Sequence, residues 1–87
     1  ILIPMHEKTV REILGEYSKL AVEMDTLSND SDLYDAGLTS LTTVTVMLAL
    51  EDAFDIEFED HMLTRATFHS VNTLLTAIDE LLEAQAA

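Results

Sequence analysis

Eighty-seven residues, 48% of them hydrophobic and 24% charged, suffice for one domain with one modest core and leave no mass for a second, so any site must be shallow. The formal net charge of −13, from 17 acids against Lys8, Arg11, Lys19 and Arg65, argues against nucleic acid and anionic membrane surfaces and points to basic protein surfaces as partners. With no cysteine, no apolar run of the roughly 20 residues a bilayer crossing needs and no basic-then-hydrophobic leader, the chain reads as a cytoplasmic protein that must borrow any thiol it uses.

Ile1 to Pro4 reads as a flexible end, processed or added, without functional weight. Val10, Ile13, Leu14, Tyr17 and Leu20 then recur at steps of three and four, which predicts a helix over 5–20 with Pro4 suited to its first turn. From Ala21 to Thr39 the period fails, and Ser28-Asn29-Asp30-Ser31-Asp32 marks a long loop that Leu27, Leu33, Tyr34 and Leu38 pin to the core. A second helix is expected over 40–55, with Leu41, Val44, Leu48 and either Met47 or Glu51 as its apolar stripe and Phe54 closing it. One short helix fits 59–65. Ser70 then caps a last helix over 70–83, whose buried face is Val71, Leu74, Leu75, Ile78, Leu81 and Leu82. The only strand signal is a weak alternation over Asp55 to Phe58. The fold class is therefore all-α, an up-and-down bundle of four helices, three long and one short. Between Leu20 and Thr64 the chain has eleven acids and no Lys or Arg, a solvated face by default.

The informative stretch is Asp35-Ala36-Gly37-Leu38-Thr39-Ser40-Leu41. Gly37 permits a positive φ, Leu38 and Leu41 are expected to anchor both sides in the core, and Thr39 can cap the following helix. That leaves Ser40 pointing outward at a helix N-terminus, where unpaired N–H groups and the helix dipole favour an anion such as a phosphodiester. On spacing alone, such a serine is no more than part of a helix start.

Gly37-Leu38-Thr39-Ser40-Leu41 resembles the Gly-x-Asp-Ser-Leu attachment motif of the acyl carrier proteins and related phosphopantetheine-bearing carriers. The resemblance continues through Val44, Leu48, Leu50, Glu51, Asp52, Phe54, Asp55 and Ile56 and covers roughly Asp32 to Leu82. It implies a single non-catalytic carrier domain of the acyl-carrier fold, working as a monomer. Ser40 would bear a covalent 4′-phosphopantetheine arm, framed by Gly37, Leu38, Thr39 and Leu41. A phosphopantetheinyl transferase would attach the arm from coenzyme A, and a ligase would load it with a thioester-bound group for downstream acceptor enzymes.

Three departures narrow the expectation. The family's usual Asp before the serine is Thr39, and two positions often acidic in fatty-acid carriers are Thr42 and Thr45, so the first half of the second helix is uncharged. Leu33-Tyr34-x-Ala36-Gly37-Leu38-x-Ser40, Phe54-Asp55-Ile56-Glu57-Phe58-Glu59-Asp60 and Leu63-x-Arg65-x-x-Phe68 are similar to the bacterial aminoacyl carrier proteins, which are loaded by ligases related to class II aminoacyl-tRNA synthetases. An aminoacyl cargo is therefore favoured over a fatty-acid or polyketide role, and an acidic interaction module without the arm stays as a further alternative. The docking candidates are Thr42, Thr45, Glu51, Asp52 and Asp55.

Other constellations fail on their residues. A calcium loop starting at Asp30 would place Tyr34, Asp35 and Leu41 where a ligand, a glycine and a bidentate Glu belong. His6, His61 and His69 lack both helical pair spacing and a cysteine partner, so no metal is expected. Ser40 lacks the second glycine of a hydrolase elbow. Met47 and Met62 could line a cavity for a short acyl group, although core filling explains them equally well.

Overall fold

The computed structural model describes residues 3–86. Three α-helices, α1 (Ile3–Tyr17), α2 (Ser40–Phe54) and α3 (Val71–Ala86), alternate with two single 3-10 turns, Met24–Thr26 and Asp60–Met62, and no strand occurs among the described residues. The all-α expectation is met, with the short fourth helix reduced to the second 3-10 turn. Pro4 does fall in the first turn of α1, but Ile3 and Pro4 are helical, against the flexible end expected over 1–4; Ile1 and Leu2 lie outside the described residues.

Helix α1 ends three residues earlier than its periodicity suggests. Ser18 is fully buried and turns its hydroxyl back to the Leu14 carbonyl, and Lys19 adopts the left-handed conformation (φ 54°) that stops a helix. Val10, Ile13 and Leu14 form the buried face as expected, whereas Tyr17 is exposed.

The ends of the helices fix their relative sense. His6, near the start of α1, sets its ring edge-on to Phe54 at the end of α2, with 5.3 Å between centroids, and its Nδ1 lies 3.5 Å from Asp79 Oδ1 on α3. Gln85, at the end of α3, donates from Nε2 to the Asp55 carbonyl at 2.8 Å. One end of the bundle thus gathers the start of α1 and the ends of α2 and α3, so α1 runs antiparallel to both. A 15-residue helix is about 22 Å long, which carries Ser40 to the opposite end, beside the long loop.

That loop is tied down more firmly than its polar composition suggests. The Arg11 guanidinium donates to the Met24 carbonyl (3.0 Å), the Leu27 carbonyl (2.9 Å) and Asn29 Oδ1 (2.6 Å), and Glu7 accepts from Asn29 Nδ2 at 2.8 Å. Further along, the Leu33 amide donates to the His69 carbonyl at 2.7 Å and the Asn72 amide to the Asn29 carbonyl at 3.0 Å, stitching the loop to the start of α3. Leu33 and Leu38 drop into the core with Val46, Leu50, Ile56, Phe58, Met62, Phe68, Leu74 and Ile78. Burying each such large side chain is worth about 1.5–3 kcal/mol. The radius of gyration, 12.0 Å, is the value expected for a compact domain of about this length.

Helix α2 departs most from expectation. Its buried face is Val46 and Leu50, supported by Met47 and Phe54, while Leu41, Val44 and Leu48 are 79%, 51% and 55% exposed. Of the stripe expected to face the core, Leu41, Val44 and Leu48 face solvent while Met47 and Phe54 turn inward, and Leu41 does not anchor the segment around Ser40. Apolar residues surround most of this helix, so the same three-and-four period fits two faces, and only packing against α1 selects one.

Candidate functional site

The turn into α2 begins at Gly37, whose φ of +122° is open to glycine and strained for other residues. A Cβ there would also stand 3.1 Å from the Ala21 amide nitrogen, in backbone already engaged by the Ala21-to-Ala36 hydrogen bond (2.9 Å). Leu38 is buried, and its amide donates to the Leu33 carbonyl at 3.0 Å, so the chain enters α2 from a fixed point.

Thr39 is the N-cap, in extended conformation (φ −116°, ψ 170°). Its hydroxyl accepts from the Thr42 amide at 3.2 Å, and Thr42 Oγ1 accepts from the Thr39 amide at 2.9 Å, a reciprocal capping box built from two threonines. The Thr43 hydroxyl adds a 2.7 Å bond to the Thr39 carbonyl. Thr39 and Thr42 therefore hold the start of the helix. Thr42, a docking candidate, spends its hydroxyl on this box; Thr45 is exposed.

Ser40 is the first residue of α2 and is exposed, and among the described residues no hydrogen bond engages its hydroxyl. It borders a surface groove of about 360 Å³. Thr43, Val44 and Met47 of α2 form one wall, Leu63, Thr64 and Arg65 form another, and Tyr34 and Phe68 complete the lining. Arg65 lays its guanidinium over the Tyr34 ring, 4.0 Å from the centroid. Methyl-rich walls interrupted by hydroxyls suit a ligand that alternates branched alkyl and amide groups, as pantetheine does, and the volume lies at the low end of the roughly 300–1,000 Å³ typical of small-molecule sites.

At the far end of α2 the acidic docking candidates separate. Glu51 turns a carboxylate oxygen to accept the Phe58 amide at 2.8 Å and fastens the chain that leaves the helix. Asp52 is exposed, and Asp55 is an exposed left-handed C-cap (φ 54°). Two of the histidines make structural contacts: His69 faces Asp32 at 3.5 Å, and His6 is the α1–α3 contact already described. Among the described residues no group of three or more His, Cys, Asp or Glu converges as a metal site would.

Sequence reading placed Gly37, Thr39 and Ser40 at the start of the second helix, where the structure has them. It missed the Arg65–Tyr34 pair and the Arg11 clamp; the signal for both was their scarcity, four cations among 17 acids.

The family model described as a phosphopantetheine attachment site matches residues 8–78. An aminoacyl carrier protein of Agrobacterium fabrum is 40% identical over 79 residues, covering 91% of this chain and 95% of the relative. Among solved structures, the Agrobacterium tumefaciens carrier protein complexed with an engineered Bradyrhizobium japonicum glycine:[carrier protein] ligase and AMP superposes with a TM-score of 0.81 at 41% identity, covering 84% of this chain and 97% of that one. A glycylated carrier protein bound to the Bradyrhizobium japonicum ligase gives 0.73 at 27% identity, with coverage of 84% and 97%.

Proposed function

That the chain belongs to the phosphopantetheine attachment-site family is the premise from which we propose that Ser40 is the attachment residue and that the cargo is an aminoacyl group. The protein is a carrier and not an enzyme, and 4′-phosphopantetheine is its cofactor. Once attached, the arm supplies the terminal thiol that this cysteine-free chain lacks and holds cargo as a thioester.

The chain's own residues prepare the priming step. The Thr39–Thr42 box and the left-handed Gly37 turn hold Ser40 at the outer edge of a fixed helix end, with its hydroxyl free of hydrogen bonds among the described residues. In a phosphopantetheinyl transferase, that oxygen attacks the phosphorus of coenzyme A that bears the pantetheine. A serine O–P bond forms, the bond to the adenosine bisphosphate breaks, and the serine proton leaves to a base of the transferase. A reaction sequence that consumes coenzyme A and then ATP suits the cytoplasm.

The exposed face of α2 is the surface we assign to partner enzymes. Leu41, Thr45, Leu48 and Asp52 follow one another at helical steps from the attachment residue toward Asp55. An apolar first half and an acidic far end fit an enzyme surface that is apolar beside its tunnel and basic further out. The aminoacyl assignment rests on the Agrobacterium fabrum relative together with the uncharged threonines.

The observation that carries the reading is the motif serine, exposed at the first position of α2 and without a side-chain hydrogen bond among the described residues. Incubation with coenzyme A and a broad-specificity transferase is expected to add one phosphopantetheine mass, and Ser40→Ala to abolish it; an unchanged mass for the natural chain overturns the assignment. The modified protein is then offered ATP and amino acids with a synthetase-like ligase, and fatty acids with an acyl-carrier synthetase. Exclusive loading with fatty acid rejects the aminoacyl cargo.

A further inference from the structure

The groove beside Ser40 has a basic edge that the acidic composition makes conspicuous. Arg11 is consumed by the long loop, whereas Arg65 pairs with no carboxylate among the described residues, in a chain of 17 acids. It is exposed, it borders the same groove as Ser40, and its guanidinium carbon stands over the Tyr34 ring, 4.0 Å from the centroid. Stacking of this kind pre-orients a guanidinium, so less side-chain freedom is lost when its N–H fork meets two oxygens of one anion. A phosphodiester on the Ser40 hydroxyl would place its two unesterified oxygens at the edge of that groove, and a planar fork can bind two such oxygens at once.

We propose that Arg65, held by Tyr34, is a positioning residue for the arm: it pairs with the phosphodiester at Ser40 and keeps the proximal pantetheine lying in the groove over Val44 and Met47. This rests on attachment at Ser40. The docked arm is in equilibrium with a free one, because a single exposed charge-assisted contact supplies a modest bias that a partner enzyme easily overcomes. Docking shelters the proximal arm between encounters, and release of Arg65 frees it for an enzyme tunnel.

The test uses the full chain in apo and modified forms, each confirmed by mass, with amide and phosphorus NMR as the readouts. Docking is expected to shift the amides of Thr43, Val44, Met47, Leu63 and Thr64 on modification. Arg65→Gln is expected to lower the docked population about fivefold, the size of one exposed charge-assisted contact, shrinking those shifts and narrowing the phosphorus line. Arg65→Lys should restore part of the effect, and Tyr34→Phe, which keeps an aromatic face, most of it. If the mass is added but the shifts stop at the immediate neighbours of Ser40, or are equal in Arg65→Gln, docking is wrong and attachment stands. If no mass is added to the natural chain, attachment fails and docking with it. A shift pattern lost in Arg65→Gln together with the apo fold, seen as a collapsed apo spectrum, assigns Arg65 a structural role and overturns the proposal.

Discussion

Thr39 shows how a substitution in a motif can preserve the function of the residue it replaces. An aspartate at this position would cap α2 with a carboxylate; here a threonine caps it with a hydroxyl and recruits Thr42 to close the box. Removal of an N-cap side chain costs about 0.5–2 kcal/mol, so Thr39→Ala is expected to lower the urea midpoint by that equivalent at unchanged slope. Thr39→Asp should hold stability, since aspartate ranks at least as high as a cap. Equal midpoints for natural chain and Thr39→Ala would show that the box contributes nothing. Gly37 and Thr39 were legible in the sequence because each has a local cause, a left-handed turn and a cap. Arg65 on Tyr34 was not, because the two residues lie 31 positions apart and only folding brings them together.

At the scale of elements, α3 was readable and α2 was not, for one physical reason. On α3 the apolar residues occupy one side, with Asn72, Thr76, Glu80 and Glu83 opposite, so period and burial agree. On α2 the apolar residues extend almost all round, and the most regular stripe, Leu41-Val44-Leu48, is the one left in solvent. Leu50→Ala, in the fully buried set, should cost on the order of 2–5 kcal/mol of stability. Leu41→Ser with Leu48→Ser should leave stability within about 0.5 kcal/mol while raising the KM for ligase loading on the order of tenfold. Denaturation midpoints and loading kinetics measured side by side separate the two faces; an unchanged KM in the double variant would move the docking surface off α2.

For the whole molecule, charge sets the working conditions. The chain measures 39 × 28 × 19 Å and carries a formal −13. Screening reaches about 30 Å at 0.01 M salt and about 3 Å at 1 M, so in dilute buffer the acids repel one another across most of the molecule. Melting temperature is therefore expected to rise as sodium chloride increases, through relief of self-repulsion, while encounter with a basic partner slows. A Tm that falls with salt would show that attractive pairs, and not repulsion, dominate the surface. The all-helical plan followed directly from periodicity. The end-to-end arrangement did not, since it depends on contacts such as His6 with Phe54 and Gln85 with Asp55 that join distant parts of the chain.

The guanidinium resting on Tyr34 also has an optical consequence. The chain has no tryptophan and only two tyrosines, and Tyr17 lies outside the groove that Tyr34 lines. A Tyr17→Phe protein would hold a single native fluorophore at the edge of the groove beside Ser40, so emission intensity becomes a label-free meter of what occupies that groove, readable in real time during priming, loading and transfer.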